Sequence, residues 1–224
     1  MKSNRKLDVK MLTVLGMLSA IAFVLASFIR IPIVPAVSFL GYEPKDVVLV
    51  IAGFLYGPIA PLLMAAVVAI TEGFTTSVMG VIGIPMNFIA SASFACTASF
   101  IYKKKHTLKG AAIGLSVAVI VTTIVMLLWN YAITPILLGH PRHVIEAMLI
   151  PGFLPFNLIK GALNAAIAML LYKPIRAALS KSRLLPHPVS SGVKTSKVSV
   201  GVILISAFII ITCALVILSW QEII

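Results

Sequence analysis

Long apolar stretches constrain this chain more than any other feature of its sequence. A helix needs about 20 apolar residues to cross the hydrocarbon core of a bilayer. The apolar stretches lie at about residues 9–29, 46–56, 59–78, 81–102, 108–138, 154–173 and 198–219. Soluble domains carry about 25% charged residues, whereas this chain has 11% charged and 60% hydrophobic residues. The sequence therefore predicts an all-α membrane protein.

Six of these stretches form one predicted membrane domain, residues 1–180. Residues 46–56 are too short to span a bilayer alone, and Gly57 and Pro58 separate them from the next stretch. We therefore expect two helices that are broken at this dipeptide. Pro135 is expected to kink the fifth stretch or to end its regular part.

The remainder of the chain is expected to form a linker and a further helix. A polar linker at 181–197 leads to the last apolar stretch, 198–219, which is long enough to form a seventh transmembrane helix. At the other end, no small-residue cleavage site follows the basic N-terminal residues, so the first stretch is predicted to be an uncleaved helix. Cys96 and Cys213 both lie in apolar stretches, which implies no disulfide framework.

Positive charges are distributed unevenly around the apolar stretches. They cluster before the first stretch (Lys2, Arg5, Lys6, Lys10), between the fourth and fifth (Lys103, Lys104, Lys105, Lys109), and after the sixth (Lys173, Arg176, Lys181, Arg183, Lys194, Lys197). With six helices these clusters fall on one side, which the positive-inside rule identifies as cytoplasmic. The net charge of +12 therefore predicts a multi-pass protein of the cell membrane with a cytoplasmic N-terminus. Nucleic acid is not an expected partner, since no aromatic and basic platform accompanies the lysines.

Several polar side chains within the apolar stretches are expected at one depth. At about 1.5 Å rise per residue, they fall within roughly 5–15 Å of the outer membrane boundary. They come from four helices and comprise Glu72, Asn87, Asn130, Asn157, Lys160 and Asn164. Polar groups within a membrane are costly and usually functional. Their common level predicts a pocket that opens to the outside and captures an external solute.

The sixth stretch places three of these residues on one helix face. At about 100° per residue, Asn157, Lys160 and Asn164 lie within about 60° of each other, beside Gly161. Carboxamides and an ammonium group can hydrogen-bond a planar solute whose edge carries N–H next to C=O. The aromatic residues expected to cover such a ring are Tyr42, Trp129, Tyr131, Phe153 and Phe156. Two other interpretations stay open, since Lys160 could snorkel to the interface and single polar residues could serve helix packing.

Four segments of the sequence resemble a known family. They are FLGYEPKDVVLVIAGFLYGPIAPLL, GIPMNFIASASF, MLLWNYAITP and LPFNLIKGALNAAIAMLLYKPI. They make residues from about 9 to 180 similar to the riboflavin-binding S-components of energy-coupling-factor (ECF) vitamin transporters. The resemblance implies a six-helix substrate-binding membrane subunit that takes up riboflavin from outside and uses no cofactor. The family has both ends in the cytoplasm, and the seventh stretch departs from that pattern.

The resemblance also implies roles for particular residues. The isoalloxazine ring of riboflavin is expected to be bound by Asn130, Asn157 and Lys160. Tyr42 is expected to belong to a lid over the ligand. The other expected substrate-binding residues are Asn164, Glu72 and Asn87.

The family further implies partner proteins. These are a transmembrane coupling subunit and two ATPase subunits, on which the S-component docks and reorients to release its vitamin. This chain has no G-x-x-x-x-G-K motif followed by Ser or Thr, so it offers no P-loop for ATP. Ala22 and Ala26 in the first stretch are spaced as a small-xxx-small pair and are expected to form the docking face. Ordinary internal packing is the other interpretation of such a pair.

Other functions stay open on the residues alone. They include an S-component for another vitamin, a stand-alone secondary transporter, and an intramembrane enzyme that uses Glu72 or His140 as acid or base. Nothing places a nucleophile–base pair or a metal triad at one depth, so an enzyme is not expected. His140, His143 and Glu146 could in principle ligate a metal, but a solvated interfacial loop is the expected role.

The first outer loop is flanked by two charged residues. A pair between Arg30 and Asp46 would close a lid over the loop. More simply, Asp46 follows Pro44 and is expected to cap the N-terminus of the second helix.

Overall fold

A computed structural model describes residues 9–37, 39–77, 79–139, 141–181 and 200–221 of the chain. Within them the α-helices are α1 (Val9–Phe28), α2 (Lys45–Tyr56), α3 (Ile59–Thr75), α4 (Gly83–Lys104), α5 (Leu108–Ala132), α6 (Thr134–Leu138), α7 (Arg142–Met148), α8 (Leu154–Lys181) and α9 (Val200–Trp220). Two short strands, β1 (Ile31–Pro32) and β2 (Gly41–Tyr42), lie between α1 and α2. Short turns of 3₁₀-helix occupy Pro35–Val37 and Gly80–Ile82, and a π-helical turn, Leu149–Phe153, joins α7 to α8.

The long helices confirm the predicted all-α membrane fold. Five segments of the described chain are long and apolar enough to cross a membrane: Val9–Phe28, Gly80–Lys104, Leu108–Ala132, Arg142–Ile175 and Val200–Trp220. α3 is a shorter apolar helix, and α2 has 12 residues. Helices α1 to α5 and α8 correspond to the six predicted helices, and α9 to the seventh. The predicted division into domains stays a prediction, because residues 182–199, which hold most of the linker, lie outside the described residues.

Glycine and proline end the helices where the sequence predicts it. α2 ends at Tyr56, and Gly57 adopts a φ of 94°, a conformation that favours glycine. Pro58 then precedes α3, which confirms two helices broken at this dipeptide. α5 ends at Ala132, and Pro135 lies in the first turn of α6, where its missing N–H costs nothing.

A small antiparallel hairpin lies at one end of the bundle. Its strands place Pro32 opposite Gly41, and we refer to residues 31–42 as the outer hairpin. α9 packs against α8, and Gln221, just beyond the end of α9, donates its side-chain amide to the carbonyl oxygen of Pro32 at 2.7 Å. The end of α9 therefore lies at the same end of the bundle as the outer hairpin.

The predicted docking pair on α1 lies inside the bundle. The chain's own residues cover Ala22 completely and leave Ala26 only 6% exposed. α1 packs against α2 and α3, so these small side chains allow close approach of the helices. This placement favours the packing interpretation, and a docking role stays an untested prediction.

Glycines set the distances between the helices that carry most of the polar residues. A Cβ atom added at Gly114 of α5 would lie 2.8 Å from the carbonyl oxygen of Ala98 in α4. A Cβ atom added at Gly161 of α8 would lie 2.9 Å from a methyl carbon of Val119 in α5. Side chains at these positions would push the helices apart, so both glycines are needed for the observed packing.

We expect Gly114→Val to destabilise the bundle, because the valine side chain meets backbone atoms of α4 that cannot move aside. Overpacking of this kind costs about 1–3 kcal/mol. The measurement is the melting temperature of the protein in detergent micelles. Gly16→Val in α1 is the matched control, since a Cβ atom there meets nothing within 4 Å. Equal melting temperatures for the two variants would contradict the close-packing argument.

Candidate ligand-binding site

α2 begins with two charged residues that lie in the protein interior. Lys45 and Asp46 are each 2% exposed. Pro44 occupies the N-cap position and no side chain caps the helix there, so the expectation that Asp46 caps α2 is wrong. Asp46 lies within the first helical turn, and its carboxylate accepts hydrogen bonds from other helices instead. A buried charge is costly unless it is paired in this way.

Three side chains from two other helices surround the carboxylate of Asp46. Ser91 of α4 donates its hydroxyl to Oδ1 at 2.5 Å. Asn164 of α8 donates its amide to Oδ2 at 3.3 Å. The ammonium group of Lys160, one turn earlier on α8, lies 3.7 Å from the same Oδ2. Helices α2, α4 and α8 therefore meet at one carboxylate.

A second group of charges lies beside the first and continues to the outer hairpin. Lys45 Nζ lies 2.8 Å from Glu43 Oε2 and also pairs with Glu72 of α3. Arg30 lies 3.6 Å from the other oxygen of Glu43. The expected pair between Arg30 and Asp46 is therefore wrong, because Glu43 is the acid that faces the guanidinium.

An open pocket lies between these helices and the outer hairpin. The empty space between its lining residues amounts to about 750 Å³ when its open mouth is included. Its polar lining consists of Arg30, Glu43, Asp46, Ser77, Asn87, Thr122, Asn130, Asn157, Lys160 and Asn164. The larger apolar side chains that line it are Phe39, Leu40, Met79, Met86, Phe94, Met126 and Phe156. The lining thus combines two acidic and two basic groups with an apolar wall.

The pocket brings together most of the residues predicted to bind the ligand. Five of the seven line it: Asn87, Asn130, Asn157, Lys160 and Asn164. Tyr42 instead lies buried in an apolar cluster with residues of the outer hairpin. Glu72 also lies outside the lining, where the amide of Asn87 donates to its carboxylate at 3.5 Å. Ligand binding by the seven residues stays a prediction.

The aromatic lining differs from the expected one. Of the aromatic residues predicted to cover a ring, Phe156 lines the pocket. Phe153 is fully buried in the apolar cluster, and Tyr131 is 43% exposed on α5. Phe39 of the outer hairpin and Phe94 of α4 line the pocket in their place.

The part of the chain that the structure describes contains no group of three His, Cys, Asp or Glu side chains suited to a metal ion. Of the three residues that could in principle ligate a metal, His140 lies outside the described residues. The remaining two, His143 and Glu146, are exposed residues of α7.

Comparison with known proteins identifies the family. Residues 10–172 match the family model described as "ECF transporter, substrate-specific component". The chain belongs to this family. The resemblance drawn from the sequence motifs is thereby confirmed, and the chain is a multi-pass membrane protein of a transporter family.

Individual relatives of this substrate-specific component are similar over most of their length. Riboflavin transporter RibU of Staphylococcus aureus (strain TCH60) is 35% identical over 190 residues, which cover 81% of this chain and 100% of the relative. Riboflavin transporter FmnP of Bacillus subtilis (strain 168) is 31% identical, with 79% of this chain and 97% of the relative covered. A solved structure of the S component of a bacterial ECF transporter is 37% identical, with a TM-score of 0.66, and the match covers 76% of this chain and 97% of that one.

Two pocket asparagines of this substrate-specific component are held by hydrogen bonds to residues four positions away in the chain. Asn130 donates its amide to the carbonyl oxygen of Met126 at 2.7 Å and accepts from the hydroxyl of Thr134 at 2.9 Å. Asn157 donates its amide to the carbonyl oxygen of Phe153 at 2.8 Å. These bonds hold both side chains in one orientation.

Three charged residues near the pocket, Glu43, Lys45 and Asp46, were not predicted from the sequence as site residues. A signal for them was present. The whole chain has only six acidic residues, and two of them flank Lys45 at the edge of an apolar stretch. Acids that are so scarce, and placed next to a lysine at a helix start, indicate a buried charge cluster. Asp46 was interpreted as a capping residue, and the sequence pattern was not used to assign a role to Glu43 or Lys45.

Glu43 lies outside the membrane-spanning segments and is surrounded by cations. Burial alone would raise its pKa, but the ammonium groups of Lys45 and Lys160 and the guanidinium of Arg30 outweigh burial, so its pKa lies below the ordinary value of 4.5. Burial raises the pKa of the neighbouring Tyr42, and the charge of Asp46 adds to this effect. At neutral pH Glu43 is therefore ionised and the Tyr42 phenol keeps its proton.

The lowered pKa of Glu43 predicts a loss of stability in acid. An acid with a lowered pKa stabilises the fold above its ordinary pKa, and this contribution is lost as pH falls through the folded value. We expect the melting temperature to fall as pH is lowered below 4.5. Glu43→Gln should be less stable than wild type at pH 7 but should lose less stability over the acid range. Glu146→Gln, at an exposed acid of α7, is the control and should follow the wild-type profile; a Glu43→Gln profile parallel to wild type would contradict the assignment.

Proposed function

We propose that this chain captures riboflavin outside the cell and delivers it to an ATP-driven energy-coupling module in the cell membrane. The observation that carries the proposal is the pocket beneath the outer hairpin, where α2, α4, α5 and α8 contribute polar side chains. The relatives RibU and FmnP are named riboflavin transporters, which favours riboflavin over another vitamin. Membership in a family of transporter components also argues against an enzyme and against a stand-alone secondary transporter.

The chemistry of the pocket suits a flavin. The flat ring system of riboflavin has an apolar benzenoid end, and Phe39, Phe94 and Phe156 supply aromatic and apolar contacts for it. Its other end is an imide edge with N–H between two carbonyl groups, which Asn157 and Lys160 can hydrogen-bond. The two acidic and two basic groups of the lining cancel, so the pocket suits an uncharged ligand.

The distribution of positive charge supports the direction of transport. The basic clusters support a cytoplasmic N-terminus and a cytoplasmic loop between α4 and α5, and in this orientation the outer hairpin and the pocket mouth face outside. Riboflavin is then cargo rather than a cofactor, and the chain binds and releases it without covalent chemistry. A transmembrane coupling subunit and two ATPase subunits complete the transporter in this proposal.

Lys160→Ala and Asn130→Ala are expected to weaken riboflavin binding. A hydrogen bond from a charged donor contributes about 1.5–3 kcal/mol and a neutral one about 0.5–1.5 kcal/mol. We therefore expect riboflavin affinity to fall roughly 10–100-fold for Lys160→Ala and up to about tenfold for Asn130→Ala. The measurement is riboflavin titration of the purified protein in detergent, after the absorption spectrum has shown whether flavin copurifies.

Tyr102→Phe is the control for these variants. It removes the 2.5 Å contact between the hydroxyls of Tyr102 and Tyr172, which are buried in the bundle core outside the pocket lining, and it should leave the riboflavin affinity unchanged. Wild-type protein that carries no flavin and binds no riboflavin would overturn the proposed function. Wild-type affinity in both pocket variants would overturn the assignment of the binding residues.

Vesicle transport tests the proposed partnership. Vesicles that contain this chain alone should bind riboflavin without accumulating it, because its sequence carries no P-loop motif for ATP. Co-reconstitution with the coupling subunit and both ATPase subunits should give accumulation that depends on ATP. Uptake by the chain alone under an ion gradient would instead support a secondary transporter.

A further inference from the structure

The side chain of Asn164 has a fixed direction in the pocket. A carboxylate only accepts hydrogen bonds, so Asn164 must turn its NH₂ group to Asp46, and the observed bond runs from Nδ2 to Oδ2 at 3.3 Å. The carbonyl oxygen Oδ1 of Asn164 is then the free end of the amide. Asn164 is 1% exposed and lines the pocket. Its Oδ1 is buried without a hydrogen-bond partner among the described residues.

A buried acceptor without a partner is costly and is rarely retained without a reason. The pocket offers such a reason, because a ligand N–H could satisfy Asn164 Oδ1 there. No protein donor is placed to do so among the described residues. The oxygen therefore marks a position where the ligand is expected to carry a hydrogen-bond donor.

Asp46 Oδ2, which accepts the hydrogen bond from Asn164, also lies near a donor, the ammonium group of Lys160. Lys160 lies one helical turn before Asn164, and its Nζ is 3.7 Å from Asp46 Oδ2. An ammonium group has three N–H donors, so the pairing with Asp46 leaves others for a ligand. Ser91 binds the opposite oxygen of Asp46 at 2.5 Å, which keeps the carboxylate in place.

We propose that Asp46 is a positioning residue that sets Asn164 Oδ1 as acceptor and Lys160 Nζ as donor for the imide edge of the flavin. In this arrangement Asn164 accepts the imide N–H and Lys160 donates to an adjacent ring carbonyl. The inference rests on the proposed function and extends it, since it states which edge of the ligand is recognised and what holds the recognising groups. In this arrangement Asp46 acts through its neighbours and does not itself bind the flavin, because its oxygens already accept from Ser91 and Asn164 and pair with Lys160.

The test compares riboflavin with its derivative methylated at the imide nitrogen, which lacks the N–H. A site built to hydrogen-bond an N–H rejects an analogue without it strongly. We expect the wild-type protein to bind the methylated flavin at least tenfold more weakly than riboflavin. In Asp46→Asn the new amide can donate to Asn164 Oδ1 and reverse that side chain, so riboflavin affinity should fall at least tenfold and the preference for riboflavin should shrink to about threefold or less.

Two further variants distinguish a positioning role of Asp46 from a general loss of folding. Asn164→Ala removes the acceptor and should lose the preference for the N–H form as Asp46→Asn does. Asp46→Glu keeps a carboxylate and should retain part of the preference. Tyr102→Phe is the control for the loss of a buried polar contact. It should keep the affinity for riboflavin, the affinity for the methylated flavin and the ratio between them. Circular dichroism and size-exclusion profiles report whether each variant is folded.

The outcomes distinguish this inference from the proposed function. If the wild-type protein binds riboflavin but folded Asp46→Asn keeps the full preference over the methylated flavin, the positioning role is overturned. If Asp46→Asn does not fold, Asn164→Ala and Asp46→Glu decide by the same ratio, and an unchanged ratio in Asn164→Ala overturns the acceptor assignment. If the wild-type protein binds neither flavin, the proposed function itself fails.

Discussion

The fold of this protein depends on how it neutralises charges buried at the start of α2. Lys45 and Asp46 are almost completely covered, and an isolated charge in such surroundings would cost several kcal/mol. Lys45 is paired with Glu43 and with Glu72 of α3. Asp46 is paired with Lys160 of α8. Removing the partners of such a charge would leave it buried and unpaired, which is the costliest outcome for a buried pair. The charges therefore fix α2 relative to the outer hairpin, α3 and α8.

Close helix packing is what allows these polar groups to meet. Small residues bring α5 close to both α4 and α8, and these two helices carry the donors to Asp46. Gly114 lies against the backbone of α4 and Gly161 lies against Val119 of α5, so larger side chains there would separate the elements that share the pocket. The pocket therefore requires both its buried polar side chains and the small residues that let the helices approach each other. Association of helices within lipid relies on such packing and on hydrogen bonds between helices, since apolar burial adds little there.

The sequence was sufficient for features that depend on local pattern. Apolar length predicted the helices, and Gly57 with Pro58 predicted the break between α2 and α3. Helical periodicity predicted that Lys160 and Asn164 share a face, and both line the pocket. The residues that the sequence did not reveal depend on contacts between distant parts of the chain. Asp46 is 118 positions away from Asn164, and no local pattern distinguishes a buried acid at a helix start from a capping residue.

The extra helix changes how the outer hairpin is held. The family match ends at residue 172, so α9 lies beyond the part shared with the family model. Its buried Cys213 belongs to the same apolar cluster as Tyr42 of the hairpin, and Gln221 donates to the carbonyl oxygen of Pro32. The hairpin borders the pocket through Phe39. While α9 stays packed on α8, moving the hairpin away from α8 would also break its contacts with α9. In a six-helix bundle that ends after α8, the same hairpin would be held by loop and bundle contacts alone.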